Sequence, residues 1–321
     1  MCIEGKIMTV QGPMSADELG TILPHEHVLV DFAGAENVSQ DRYDVDEVIK
    51  VVKPHLERAQ QLGMKTMVEC TPAYIGKDPL LLKRLSEETG IFFLTNTGYY
   101  GNRNGFFLPT HAFIETADQL AERWVRDWEE GIDGTGIRPG FIKTAVNPEG
   151  PLSALDRKLM QACARTHMKT GLTIVCHTKN GPVFEILEEL TREGVDPTAF
   201  VWVHASGEPD PRRHVAAAEL GAWVSFDWVS LPVDKDVALL ANMKAAGLLD
   251  NVLISHDAGW FDPAKPQGGS ADYKGYTVVF EHLVPALQKQ GFSGTEIAQL
   301  TVLNPVKAFS IGVRSLPQSG R

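Results

Sequence analysis

Eight short apolar or β-branched runs alternate with eight segments of helical spacing, glycines follow the helical segments, and no linker breaks the series. Together these predict an α/β protein of the (β/α)8 TIM-barrel class, folded as a single domain. Strict alternation calls for a parallel sheet with helices outside it, and eight units are enough to close the sheet on itself.

The runs cover 23–30, 64–70, 91–97, 140–145, 172–177, 200–204, 222–226 and 252–256, each short and bounded by turn residues, as strands are. Between and after them, helical periodicity marks 45–61, 79–88, 117–130, 152–170, 182–193, 212–220, 234–246 and 276–288. Gly63, Gly90, Gly131, Gly171, Gly194, Gly221, Gly247 and Gly291 stand where these helices stop. Residues 1–20 read as a leader, 21–290 as the barrel, and 291–321 as a C-terminal helix near 296–309 with a tail.

A chain of 321 residues with 43% hydrophobic and 22% charged content can bury a sizeable core, which excludes disordered and fibrous classes. The net charge of -11, with basic residues interspersed among acidic ones, argues against nucleic acid as a partner. No apolar stretch approaches the ~20 residues of a membrane span, and Glu4 and Lys6 interrupt the N-terminus where a signal core would lie. A cytoplasmic protein acting on a small-molecule substrate is therefore expected. Cys2, Cys70, Cys163 and Cys176 are too dispersed for a disulfide framework or a thiolate zinc site, and Cys176 reads as a small core residue facing away from His177.

Six residues of metal-ligand type fall where a predicted strand ends: His25, His27, Lys143, His177, His204 and Asp257. In Pro24-His25-Glu26-His27 a strand puts both imidazoles on one face while Glu26 looks away. Barrel closure sets the first strand beside the eighth, so His25, His27 and Asp257 can converge on one cation. The fourth, fifth and sixth strands are neighbours too, which brings Lys143, His177 and His204 to a second position. Two metals about 3.5 to 4 Å apart form a recurrent hydrolytic site. An ammonium is no ligand, and a buried one is costly; after reaction with carbon dioxide Lys143 would be an anionic carbamate able to bridge both cations. Singly each residue is weak, since a lone histidine at a strand end is more often structural; the ordered set carries the argument.

That order resembles the phosphotriesterase-like family of the amidohydrolase superfamily. Thr9-Val10-Gln11-Gly12-Pro13, Asn96-Thr97-Gly98-Tyr99-Tyr100, Glu130-Gly131-Ile132-Asp133-Gly134-Thr135 and Asn304-Pro305 are similar to it as well, so the likeness spans nearly the whole chain. The resemblance implies two divalent metal ions, zinc in the first place with manganese, cobalt or iron as alternatives, bridged by carboxylated Lys143. His25, His27 and Asp257 would hold the more buried ion, and His177 and His204 the outer one. It further implies a bridging hydroxide that attacks the substrate, with Asp257 as ligand and catalytic base, and a homodimer. Phosphotriesterases proper place a histidine after the seventh strand and related lactonases an arginine; this chain has Ser225-Phe226-Asp227-Trp228. Lys143 stands where some relatives carry glutamate.

The long connections 98–116, 227–234 and 258–276 follow strand ends and are expected to build the substrate pocket, with Tyr99, Tyr100, Trp228 and Trp260 as candidate substrate-binding residues. Arg103 and Lys179 are read as surface cations that would otherwise meet an anionic substrate group, and His256 as a structural residue opposite Asp257. The expected reaction is hydrolysis of a small ester, a lactone or related carboxyl ester. The alternatives are a phosphotriester or phosphoester hydrolase, an N-acyl amide hydrolase, a mononuclear deaminase and an inactive binding protein.

Overall fold

The computed structural model describes residues 3–317, so Cys2 lies outside the described part. A hairpin of β1 (Ile7–Thr9) and β2 (Gly12–Met14) precedes the barrel and occupies the segment read as a leader. Barrel strands follow in chain order: β3 (Thr21–Glu26), β4 (Met64–Glu69), β5 (Phe92–Leu94), β6 (Asn96–Thr97), β7 (Phe141–Ala145), β8 (Thr173–His177), β9 (Phe200–Val203), β10 (Trp223–Phe226) and β11 (Val252–Ile254). Their pairing is parallel, in the orders β3-β4-β5 and β6-β7-β8-β9-β10-β11. Thr95 divides the predicted third strand into β5 and β6, and its carbonyl accepts from Gly140 N–H at 2.7 Å, which keeps the wall continuous. The ring closes where Asp257 N–H donates to His25 O at 3.1 Å and His27 N–H donates to Ala258 O at 2.9 Å. This is a (β/α)8 barrel.

The helices form where period and caps place them. Val45–Gln61 starts at Asp44, whose carboxylate accepts from Glu47 N–H, and turns Val48, Val52 and Leu56 onto the sheet. Ala117–Glu130 and Ala154–Thr170 begin with capping boxes at Thr116 and Ser153, and the latter ends on Gly171 at φ 74°, a conformation that favours glycine. The predicted helix at 276–288 is a wide π-helical turn, Val279–Leu283, running into Val284–Lys289. The connection 98–116 is not structureless: it contains the short helix Thr110–Ile114. Among the described residues no helix is long and apolar enough to cross a membrane.

Two layers of core result. One lies between sheet and helices; the other fills the barrel floor with Ile22, Val68, Leu94, Phe141, Val175, Val201, Trp223 and Leu253, one residue from each wall position, closed below by Phe309. Burying each such side chain contributes roughly 1.5–3 kcal/mol, and the layer fixes which parity of every strand faces inward. Two residues further along, the same parity delivers Lys143 from Phe141 and His177 from Val175 to the mouth.

The first barrel strand departs from this rule. Its register with β4 slips between Leu23 and Glu26, where three steps on β3 match two on β4. The bulge, at Pro24, reverses the parity set by Ile22, so His25 turns inward and Glu26 outward. Glu26 then accepts from the Ser255 hydroxyl at 2.7 Å and from His256.

Candidate metal centre

Five of the six ligand candidates, His25, His27, Lys143, His177 and His204, lie on or directly after strands at the carboxyl end of the barrel, and the four imidazoles gather there. Ring centres are 5.5 Å apart for His25 and His27, 5.1 Å for His25 and His204, and 4.4 Å for His177 and His204. Asp257 Oδ1 lies 3.0 Å from His27 Nε2 and 3.6 Å from His25 Nε2, so these three residues can share one cation. Lys143 lines the same cavity. The strand ends are shorter than predicted, however: β3 stops at Glu26, β9 at Val203 and β11 at Ile254, leaving His27, His204 and Asp257 on the turns. His204 and Asp257 adopt φ 62° and 54°, left-handed values that non-glycine residues rarely take and that aim both side chains back over the mouth.

Behind the rings, Nδ1 of His204 and Nδ1 of His27 are hydrogen-bonded to side chains. Asp227 is fully buried; its Oδ1 accepts from His204 Nδ1–H at 2.8 Å and its Oδ2 from the Ser225 hydroxyl at 2.8 Å. Asp227 Oδ2 also lies 3.1 Å from His25 Nδ1, at an angle outside hydrogen-bond geometry. His27 Nδ1 meets Thr71 Oγ1 at 2.8 Å, and Thr71 in turn donates to buried Glu69. Such partners fix the tautomer that leaves Nε2 with a free lone pair. Asn102 Nδ2 sits 3.2 Å from His177 Nε2.

Electrostatics agree with a ligand role. Burial, then the charge of Lys143, lowers His25 to about 4, and burial with His204 and Lys143 holds His177 well below the usual imidazole value. Both rings are neutral at pH 7, the form a metal requires. Burial alone would raise Asp257, but its contacts with the imidazoles, His27 first, outweigh burial and keep it below the usual carboxylate range. Trp228 Nε1–H donates to Asp257 Oδ2 at 3.0 Å while its ring stacks on His204, centres 4.8 Å apart.

The fit to cations rests on Lys143. Its side chain is buried and its Nζ has no hydrogen-bond partner among the described residues. An unpaired buried ammonium costs several kcal/mol, whereas a carbamate surrounded by imidazoles and cations would be compensated.

A cavity of about 80 Å³ above the ligands is walled by Val30, Phe32, Ile75, Tyr100 and Trp260. Tyr100 stands edge-on to His177 at 5.2 Å and Trp260 edge-on to His27 at 5.7 Å. Trp228 and Trp260 also border a larger cavity of about 870 Å³ between the turn after β10 and the loop after β11. Tyr99 corrects the expectation: it points to the opposite side of the chain from Tyr100, is buried against Trp124 and Tyr74, and bonds His111 at 3.0 Å, so it lines no part of the ligand cavity. Gly259 is required where its loop crosses the first strand, since a Cβ there would lie 1.9 Å from His27 O. His256 is structural as expected, held by Glu26 and accepting from Val279 N–H at 2.9 Å. Asp227, Asn102 and Phe32 are site residues that sequence reasoning did not single out. Asp227 did carry a signal, an aspartate directly after the seventh barrel strand, as Asp257 lies just beyond the eighth.

A barrel with such residues gathered at the carboxyl ends of its strands falls in the class of metal-dependent hydrolases. The Phosphotriesterase family model matches residues 5–309, and the chain belongs to that family. It is 29% identical over 301 residues to the phosphotriesterase homology protein of Escherichia coli strain K12, covering 92% of this chain and 100% of that one. It is 29% identical over 310 residues to the aryldialkylphosphatase of Saccharolobus solfataricus, covering 92% and 97%. A solved structure described as organophosphate hydrolysis engineered from a weak promiscuous lactonase template superposes with TM-score 0.83 at 27% identity, covering 95% and 99%.

Proposed function

We propose that this chain hydrolyses a small ester, a lactone or related carboxyl ester, at a centre of two divalent cations, zinc in the first place. The observation that carries the reading is buried, partnerless Lys143 beside four inward imidazoles. His25, His27 and Asp257 would hold one cation and His177 and His204 the other, with Lys143 joining them after its amine adds to the carbon of carbon dioxide and loses a proton. When bound, two such cations lower the pKa of water and polarise the substrate's carbonyl oxygen.

The chain's own residues supply the rest. Asp257, ionised at neutral pH, is placed to take the proton from the attacking water. Trp228 holds Asp257 Oδ2 in one orientation, and Asp227 and Thr71 hold the rings of His204 and His27. Val30, Phe32, Ile75 and Trp260 make the wall above the ligands apolar, which suits the uncharged body of a small ester. Similarity to an aryldialkylphosphatase favours phosphotriesters as the second reading. Kinetic comparison of lactones, aryl phosphotriesters and N-acyl amino compounds on zinc- or manganese-loaded protein decides: turnover of amides alone sinks the ester reading.

A further inference from the structure

Two cations at the mouth have no role in the centre and no carboxylate to pair with. Arg103 and Lys179 form neither an ion pair nor a side-chain hydrogen bond among the described residues, whereas Arg42, Arg84 and Arg213 each meet an acid. Both adopt left-handed backbone, φ 53° and 54°, so the direction in which each stem leaves the chain is fixed by its turn. The Arg103 guanidinium carbon lies 5.6 Å from the ring centre of Phe107 and 6.0 Å from that of Phe32, a wall of the ligand cavity. Lys179 Nζ lies 5.4 Å from the ring centre of Trp228, which stacks on His204. Both flank His177: Asn102, next to Arg103, reaches its Nε2, and Lys179 follows two residues after it. The charge of Lys179 bears on His177 and that of Arg103 on Tyr100. Neither acid of the centre forms an ion pair with them: Asp227 meets His204 and Ser225, and Asp257 meets Trp228 and His27. In a chain of net charge -11, two cations beside the mouth without an acid partner provide a local attraction for an anion that the molecule as a whole repels.

We propose that the substrate of this site carries a carboxylate, which Arg103 and Lys179 hold while the scissile ester lies over the ligands. This rests on the ester reading given above. A guanidinium fork and an ammonium, both over aromatic rings and both free, suit a carboxylate presented at the rim.

The test uses full-length, zinc-loaded protein with γ-butyrolactone carrying a ring carboxylate, and the same lactone with a carboxamide in its place. At low salt kcat/KM favours the carboxylate by about tenfold or more, as expected for charge-assisted hydrogen bonds, and the ratio shrinks with added salt. In the double variant Arg103→Met/Lys179→Met the ratio falls to within about twofold of one. A ratio near one in the unaltered protein, or one that survives in the double variant, overturns the proposal. Binding of non-hydrolysable cyclopentanone-3-carboxylate against its carboxamide, followed by calorimetry, gives a second readout free of bond class. Preferential binding of the carboxylate that the double variant loses upholds the anion site even if no lactone turns over, which would instead sink the ester reading. Equal binding of both ketones overturns the proposal.

Discussion

Trp228 Nε1 donates to Asp257 Oδ2 across 3.0 Å, leaving Asp257 Oδ1 facing His27 Nε2 at 3.0 Å. The two oxygens of one carboxylate are thereby divided between an indole and the ligand cluster. An indole N–H donates and never accepts, so Trp228 steadies the ionised carboxylate but takes no proton from it. Trp228→Phe keeps the ring on His204 and removes the bond. The expected outcome is a kcat lower by about tenfold with metal content unchanged, measured by steady-state kinetics on a lactone; an unchanged kcat contradicts this role.

Asp227 ties together rings assigned to different cations, bonding His204 and lying 3.1 Å from His25. Asp227→Asn keeps the volume but removes the charge and presents an amide to one ring. Metal affinity is expected to fall about 10- to 100-fold, read by competition with a chelator. Equal affinity would mean that the rings hold their orientation unaided.

Lys143→Ala removes the only amine that lines the ligand cavity among the described residues and leaves a void among imidazoles. Metal content should drop from two ions to one or none, with kcat/KM down by about 10²-fold or more. Lys143→Glu restores a carboxylate and recovers part of both. Full activity in Lys143→Ala would favour a single-ion centre.

The pH dependence of the metal-free protein follows from the buried rings. His25 is lowered to about 4 from 6.5, and His177 is lowered in the same direction. Below pH 6.5 the unfolded chain binds protons that the folded one refuses. The stability conferred by these neutral rings is thus fully present above pH 6.5 and is lost as pH falls toward 4. His25 alone accounts for about 3 kcal/mol of that change. Urea midpoints between pH 7 and 4.5 test it; a midpoint that does not fall is inconsistent with neutral buried imidazoles.

Tyr99 and Tyr100 separate packing from substrate contact. Tyr100→Ala opens the cavity wall beside His177 and should raise KM several-fold, roughly 1 kcal/mol of lost contact. Tyr99→Phe loses hydroxyl contacts to His111 and Tyr74, both outside the ligand cavity, and should leave KM unchanged. The reverse pattern in kinetics would show that the loop turns the other ring inward.

Those two tyrosines also mark how far the sequence could be read. Alternation of strands and helices needs only composition and period, and Val45–Gln61 and Ala117–Glu130 fall where periodicity puts them. Convergence of His25, His27 and Asp257 follows from closing the ring, a rule of topology rather than of local pattern. Parity at strand ends is less legible. The bulge at Pro24 that brings His25 inward, the left-handed turns at His204 and Asp257, and the choice between Tyr99 and Tyr100 depend on contacts from distant residues. Asp227 escaped notice because a supporting carboxylate is recognised by the rings it holds, which only the folded chain brings near.

The most direct test is a crystal structure of the zinc-loaded protein with anomalous scattering recorded at the zinc edge. Two ions about 3.5 to 4 Å apart, with added density on Lys143 Nζ and Asp257 turned to the ion at His25 and His27, are the predicted result. A single ion, or an unmodified Lys143 turned away from His177 and His204, would contradict the account.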